Sequence, residues 1–321
     1  AAMTVAVWNP FVVERLLQGQ WSLAAAAWLL PLVALGCVPA SGLAHWLASL
    51  TPTGALAAAC FSRGWRGVAV SVCTCLPWVV AGVFASTPGT SSAASAAAFA
   101  PRAEAYAGTL GSLLGLGGIW NGQAVPASRE LGFALFGVAL CALLALALRS
   151  VPRRFLLLAA LGFAVALASW ADLTTPLIQH LPGGGLLRDG QKWLVLAIPA
   201  FVAAAGALEP RRALAAAAFA LLQVPDAPIA LAALTPTSIE VPAVDHRGRD
   251  VLFESRPALV PIDGHPVVDP TPKAMNVVES GALTVDGVAV DPPSLRWTAA
   301  QAALDDQERL RELGVGVVVR A

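Results

Sequence analysis

The sequence predicts an α-helical polytopic membrane protein of about seven spans with a small C-terminal α+β domain. Of its 321 residues, 57% are hydrophobic and only 12% are charged, whereas a soluble domain carries about 25% charged residues. The mean hydropathy is +0.70, and long apolar stretches alternate with short arginine-containing loops, as in multi-spanning membrane proteins. This composition excludes an ordinary soluble enzyme and argues against nucleic-acid binding.

The charge distribution divides the chain near Thr235. Residues 1–234 contain 12 basic and 7 acidic residues, a net charge of +5, whereas residues 235–321 contain 8 basic and 13 acidic residues, a net charge of −5. The first part is strongly apolar and the second is polar, which indicates a domain boundary. We therefore predict a transmembrane domain over 1–234 and an extracytoplasmic domain over 235–321.

Seven apolar stretches approach the length of about 17–25 residues that crosses a bilayer. They cover residues 21–38, 42–60, 68–85, 131–149, 155–171, 193–208 and 213–234. Pro39 and the sequence Thr51-Pro52-Thr53-Gly54 interrupt the second stretch, so a re-entrant hairpin is an alternative there.

Three arginine clusters predict the orientation, because basic loops remain cytoplasmic. They are Arg63 with Arg66, Arg149 with Arg153 and Arg154, and Arg211 with Arg212. This places outer loops at about 86–130 and 172–192, and the acidic tail, on the extracytoplasmic side of the plasma (inner) membrane. The side of the N-terminus stays open.

The tail alternates β-prone runs with turn residues, at 250–254, 266–270, 282–287 and 314–319, and a helix is expected at about 299–313.

No metal or cofactor motif is present, so the sequence predicts neither. The five cysteines lie in apolar stretches, where small packed hydrophobic residues are expected, and Cys73-Thr-Cys75 lacks the spacing of a zinc site. They are Cys37, Cys60, Cys73, Cys75 and Cys141.

The most informative segment, residues 181–193, contains three consecutive glycines followed by Arg188, Asp189 and Lys192. If a helix begins near Leu186, Arg188 and Lys192 are four residues apart on one face. Two cations beside a helix N-terminus suit a phosphate or pyrophosphate headgroup. The alternative is that the three charged side chains extend to the membrane interface and pair with one another.

A second segment, residues 8–21, begins a helix at Asn9-Pro10, with proline in the first turn. Two interpretations are open for it. An amphipathic helix at the membrane interface is one, and a helix that lines a site, with Glu14 and Arg15 orienting a polar substrate, is the other. General acid or base candidates on the outer side, such as Glu104, stand in no spacing that identifies a mechanism.

Residues 8–21, 50–54, 115–121 and 185–193, in this order, resemble a family of multi-spanning envelope proteins of actinobacteria. The architecture of that family is similar to the GT-C class of glycosyltransferases, which use polyprenyl-phosphate-linked sugars. The resemblance extends to the tail at 250–253, 268–272 and 313–319. It implies that the outer domain covers the site or selects an acceptor glycan.

The resemblance also implies roles for individual residues. Arg188 and Lys192 would contact the lipid-linked phosphate, and Asp189 would orient Arg188. The residues expected to border the cavity are Glu14, Arg15 and Asn121. GT-C enzymes carry their catalytic acid in the first outer loop, and this chain begins after that point, so we assign no catalytic residue.

Three functions remain as hypotheses. The first is a catalytically incomplete part of a GT-C-like glycosyltransferase that handles a lipid-phosphate sugar at the outer membrane face. The second is an accessory membrane protein that holds envelope-biosynthesis partners through residues 235–321. The third is a transporter, for which the interrupted segment at 39–54 and His45 would be suitable.

Overall fold

The computed structural model describes residues 1–36, 40–85, 92–181, 183–262, 265–285 and 287–320. The chain divides into two compact units, Ala1–Leu234 and Thr235–Ala321. The division falls at the residue where the charge composition changes. The first unit consists of helices, and the second combines short strands with helices.

The helices of the first unit are short and are joined by tight turns. In chain order they are α1 (Ala2–Val7), α2 (Pro10–Leu17), α3 (Trp21–Leu35), α4 (Ala40–Ala48), α5 (Pro52–Phe61), α6 (Trp65–Ala85), α7 (Ala93–Ala98), α8 (Gly108–Leu114), α9 (Ala127–Glu130), α10 (Ala134–Ala145), α11 (Arg153–Trp170), α12 (Thr175–His180), α13 (Ile198–Gly206), α14 (Pro210–Leu222) and α15 (Ala227–Ala232). Segments of 3-10 helix cover Gly122–Ala124, Leu148–Ser150, Gly184–Leu187 and Gln191–Ala197.

Two helices next to the candidate site begin with a capping residue followed by proline. The side chain of Asn9 accepts a hydrogen bond from the amide of Val12 at 3.0 Å, which confirms the predicted start of α2. Thr51 Oγ1 accepts from the amide of Gly54 at 3.1 Å and begins α5. Proline at the first helical position costs no hydrogen bond, because that amide has no intrahelical acceptor.

The seven predicted spans are only partly reproduced. Two helices in the described part of the chain, Trp65–Phe84 and Arg153–Trp170, are long and apolar enough to cross a membrane by length and composition. The other stretches form shorter helices, such as Trp21–Leu35 and Ala134–Ala145. The stretch predicted at 42–60 divides into α4 and α5, because Thr51 caps a new helix.

The predicted outer loops contain secondary structure of their own. The described part of the first loop, from residue 92, contains α7, α8 and α9, and residues 86–91 lie outside the described residues. The second loop contains α12 and the 3-10 helix Gly184–Leu187. The expectation that the cysteines are packed is wrong for Cys60 and Cys73, which are exposed, and Cys37 lies outside the described residues.

One helix pair holds the segment that carries the predicted phosphate-binding residues. The 3-10 helix Gln191–Ala197 packs along α11, and Leu194 and Leu196 are fully buried in the apolar core. A Cβ at Gly162 would lie 3.3 Å from Leu196 Cβ and closer still to the carbonyl of Trp193. Glycine is needed at this point because the two backbones approach so closely.

The described residues of the second unit form three strand pairs. Strand β1 (Asp250–Phe253) pairs in parallel with β6 (Val315–Val319), β2 (Leu259–Ile262) pairs antiparallel with β3 (His265–Val268), and β4 (Leu283–Val285) pairs antiparallel with β5 (Val288–Asp291). Its helices are α16 (Thr271–Ala274), α17 (Leu295–Ala302) and α18 (Gln307–Glu312). The single helix predicted at 299–313 is wrong, because Asp306 caps a separate helix by accepting from the amide of Arg309.

An ion pair fixes the turn that follows β3. Both oxygens of Asp269 accept from Arg256, at 2.6 and 2.9 Å, and Thr271 Oγ1 donates to the same carboxylate at 2.7 Å. The hydrogen bond from Arg256 is the main reason that the pKa of Asp269 falls to about 2.

Candidate functional site

A cavity of about 430 Å³ opens in the first unit between segments that are far apart in sequence. Its wall includes Gly19 and Gln20 from the turn before α3, Thr51, Pro52 and Thr53 from the start of α5, the rings of Phe99 and Trp120, and Gly185, Leu186, Arg188, Asp189 and Lys192. Each of the four segments on which the family resemblance rests contributes to this wall.

Arg188 and Lys192 both line the cavity, although their local structure differs from the prediction. The segment forms 3-10 helices at Gly184–Leu187 and Gln191–Ala197, and the α-helix begins only at Ile198. The two cations are therefore not four residues apart on one α-helix. The guanidinium of Arg188 lies over the Phe99 ring, 4.3 Å from its centroid, an arrangement that favours a cation.

Lys192 is half-buried at the cavity wall. No side chain in the described part of the structure forms an ion pair with its ammonium group. Burial lowers the pKa of Lys192 below the usual lysine value, Asp189 opposes this effect, and Arg15 and Arg188 add to it. Contact with this partly desolvated cation would therefore increase the affinity of the cavity for an anion.

Asp189 is bound by Arg15 from behind the cavity wall. The Nη1 and Nη2 atoms of Arg15 contact the two carboxylate oxygens at 2.5 and 3.1 Å, a bidentate pair. The same guanidinium donates to Gln20 Oε1 at 2.7 Å and to the side chain of Gln191. The expectation that Asp189 orients Arg188 is not reproduced, since no hydrogen bond joins these two side chains among the described residues.

The residues expected to border the cavity are absent from its described lining. Glu14 and Arg15 are fully buried, because both lie on the face of α2 that packs into the unit. Asn121 Nδ2 donates to Gln18 Oε1 at 2.7 Å, which ties the loop after Trp120 to the end of α2. Among the described residues, none of these three lines the cavity.

The carboxylate of Glu14 lies in a buried polar cluster. Its Oε2 accepts from the amide of Ile119 at 3.2 Å and from Gln191 Nε2 at 3.4 Å, and its Oε1 has no hydrogen-bond partner among the described residues. Burial raises the pKa of Glu14 well above the usual value, and Glu104 raises it further, against the opposing effects of Arg129 and Arg15. These effects therefore shift the equilibrium of Glu14 towards the protonated acid, compared with an exposed glutamate.

A second buried ion pair, between Arg129 and Glu104, was not anticipated from the sequence. Arg129 Nε donates to Glu104 Oε1 at 3.2 Å, its Nη2 donates to Oε2, and its Nη1 donates to the carbonyl of Gln223 at 3.0 Å. The only sequence signal is that charged residues flank the uncharged run 105–128, with Arg102 and Glu104 before it and Arg129 and Glu130 after it. Glu104 and Arg129 are 25 positions apart, a spacing that does not place them side by side in a helix or a strand.

Gly117 lies where these buried groups meet. A Cβ at this position would stand 3.0 Å from Glu14 Oε1 and 3.2 Å from Glu104 Oε1, and nearer to Arg129 Nη2. The neighbouring side chains are held by ion pairs and hydrogen bonds and cannot move away without breaking them.

We expect Gly117→Ala to destabilise the first unit by about 1–3 kcal/mol, the usual effect of overpacking. Gly122→Ala is the matched control, because a Cβ there meets only Arg102 at an ordinary 3.9 Å. Thermal unfolding of the purified variants in detergent measures both effects. Equal midpoints for the two variants would show that the space at Gly117 is not restricted.

The geometry suits an anion that carries an additional ring or chain. The described wall offers Arg188, Lys192 and the N-terminus of α5, while its carboxylate, Asp189, is compensated by Arg15. Phe99 and Trp120 form an apolar side, with ring centroids 4.4 Å apart. Comparison of the chain with family models, with curated proteins and with solved structures finds no match.

Proposed function

We propose that the chain is an integral membrane protein of cell-envelope biosynthesis, part of a GT-C-like glycosyltransferase that binds the phosphate of a lipid-linked sugar. The observation that carries the proposal is that Arg188, Lys192 and the N-terminus of α5 line the same cavity. Helix N-termini and cationic side chains together are a recurring site for phosphate groups. The rings of Phe99 and Trp120 provide the less polar wall that a sugar or lipid segment needs.

The exposure of apolar side chains supports the membrane assignment. Only 11% of the apolar window in α6 and 22% of that in α11 is buried inside the protein. Val72, Leu76, Val80 and Phe84 are exposed along α6. Soluble proteins rarely expose apolar patches larger than a few hundred Å². We propose that the shorter, interrupted helices complete the remaining predicted crossings inside the bundle, where irregular backbone is tolerated.

The two ends of α11 support an outer location for the cavity. At its N-terminus, Arg154 Nη2 donates to the carbonyl of Ser62 at 2.8 Å, so two of the predicted cytoplasmic loops meet. At its C-terminus, Ser169 lies against Gly190, next to the cavity. Eighteen residues of α-helix span about 27 Å, close to the thickness of a bilayer core. With basic loops inside, the cavity faces outward.

One observation favours a second candidate, a non-catalytic accessory protein. Among the described residues, Asp189 is the only carboxylate that lines the cavity, and it is engaged by Arg15. A paired carboxylate is a weak general base, because the guanidinium stabilises its charged form. An accessory protein would bind the same lipid phosphate and contact its protein partner, or an envelope glycan, through residues 235–321.

Ligand binding by the full chain tests the proposal. Purified protein in phosphatidylcholine nanodiscs is titrated with dodecyl phosphate and, as a control of equal chain length, with dodecyltrimethylammonium. We expect saturable binding of dodecyl phosphate, weakened by inorganic phosphate and by salt. Burial lowers the pKa of Lys192. As the pH rises, we therefore expect binding to weaken at a lower pH than the one at which an exposed lysine loses its charge. Equal binding of both amphiphiles would contradict the proposal.

A further inference from the structure

We infer that Arg15 is a positioning residue that holds the Asp189 carboxylate away from Lys192, so that the cavity selects a dianionic phosphate over a singly charged one. The preferred ligand class is then a lipid pyrophosphate-linked sugar, or the lipid phosphate monoester that remains after sugar transfer. A sugar linked to lipid through a single phosphate is a phosphodiester with one charge and binds more weakly. The inference rests on the proposed function and adds the charge state of the ligand and a residue that sets it.

The first step of the argument is the rigidity of the pair. Arg15 binds both oxygens of Asp189, and Gln20 and Gln191 accept the remaining hydrogen bonds of its Nη atoms. The side chain of Arg15 is fully shielded from solvent and that of Asp189 is 11% exposed. Water screens such a pair little, and its planar geometry fixes where the carboxylate oxygens point.

The second step is the competition for Asp189. Lys192 follows Asp189 by three residues, and its backbone amide already donates to Asp189 Oδ1 at 3.3 Å. Both side chains line the same cavity. Without Arg15, the carboxylate would be left with the two cations of its own segment, Arg188 and Lys192, and Asp189 already raises the pKa of Lys192 by its charge. A buried carboxylate without a partner is costly. An internal Asp189–Lys192 pair would then occupy the cation that the ligand needs.

The third step concerns the ligand's second charge. A phosphodiester presents one negative charge, which Arg188 and the Thr53 amide at the N-terminus of α5 can meet. A monoester near pH 8 presents about two charges, because its second pKa is near 6. The second charge strengthens binding only if the ammonium group of Lys192 is available to contact it. Arg15 therefore acts on ligand selection through Asp189, without touching the cavity itself.

The test compares two ligands that differ in one charge, dodecyl phosphate and methyl dodecyl phosphate, at pH 8 in nanodiscs. The wild-type protein is expected to prefer the dianion by about tenfold, the value of one charge-assisted contact. Arg15→Gln should reduce this preference to about one. In the double variant Arg15→Gln with Asp189→Asn, the competing carboxylate is gone, and the preference should return to at least half of the wild-type value.

The outcomes separate the inference from the proposed function. Wild-type protein that binds neither phosphate overturns the proposed function and the inference with it. If the wild-type protein binds phosphate but Arg15→Gln leaves the preference for the dianion unchanged, the inference is overturned and the proposed function stands. The same conclusion follows if the double variant fails to restore the preference although its thermal unfolding midpoint matches that of Arg15→Gln. A purely structural role for Arg15 predicts equal losses for both ligands and no recovery in the double variant.

Discussion

Replacing Arg188 and Lys192 together by glutamine is expected to lower the affinity of the protein for dodecyl phosphate by about 100-fold or more. Each side chain supplies a charge-assisted contact worth about 1.5–3 kcal/mol, and about 1.4 kcal/mol is a factor of ten in affinity. Both residues are half-buried at the cavity wall, so their contacts with an anion are screened less than those of exposed side chains. Titration in nanodiscs, as described for the wild-type protein, measures the loss.

The matched control for this double substitution is Arg211→Gln with Arg212→Gln. It removes the same two charges, but both residues are exposed at the start of α14 and do not line the cavity. We expect less than a threefold change in affinity, the size of a screened long-range effect. If both double variants lose affinity equally, phosphate binding depends on net charge and not on this cavity.

The second large effect is expected on folding. Arg129→Met should destabilise the first unit by about 3–5 kcal/mol, because it leaves the Glu104 carboxylate buried without its partner. The side chains of Arg129 and Glu104 are 0% and 1% exposed, so water cannot replace the lost contact. The unfolding midpoint and the yield of monodisperse protein in detergent measure the effect. A midpoint within a few degrees of the wild-type value would contradict the importance of this pair.

Glu14→Gln is the matched substitution in the same cluster and should behave differently. The raised pKa of Glu14 means that the folded protein favours the proton, and glutamine resembles the protonated acid. The stabilising effect of this proton is complete below the unfolded pKa of about 4.3 and is lost as the pH rises through the folded pKa. The wild-type protein should therefore lose stability relative to Glu14→Gln as the pH increases from 5 to 8.5. Parallel pH profiles of the two proteins would contradict the buried-acid interpretation.

A local signal predicted the start of one helix correctly. Asn9-Pro10 begins α2 as predicted, because a capping side chain and a proline act within one turn of the chain. Thr51-Pro52 was predicted only to interrupt an apolar stretch, and it begins α5 by the same local mechanism. The division at Thr235 follows a change of composition. By contrast, apolarity alone could not give helix lengths, since Thr51 and other interruptions within the apolar stretches divide them into shorter helices.

The site was predictable only in part, for a physical reason. Glycines and charged residues at 183–192 identified Arg188 and Lys192, which the fold brings to one cavity. The partners of the buried groups were not predictable, because Arg15 and Asp189 are 174 positions apart and only tertiary packing brings them together. The same holds for Glu104 and Arg129, whose pairing depends on how α8 and α9 are placed.

Photo-crosslinking maps the ligand directly and tests the central claim that a lipid phosphate binds in this cavity. A long-chain alkyl phosphate with a diazirine next to the phosphate is irradiated with the purified full chain in nanodiscs, and labelled peptides are identified by mass spectrometry. We expect labels within residues 19–23, 51–53, 99, 120 and 185–192, all reduced by excess dodecyl phosphate. Labels confined to the exposed apolar face of α6, and insensitive to that competitor, would contradict the account.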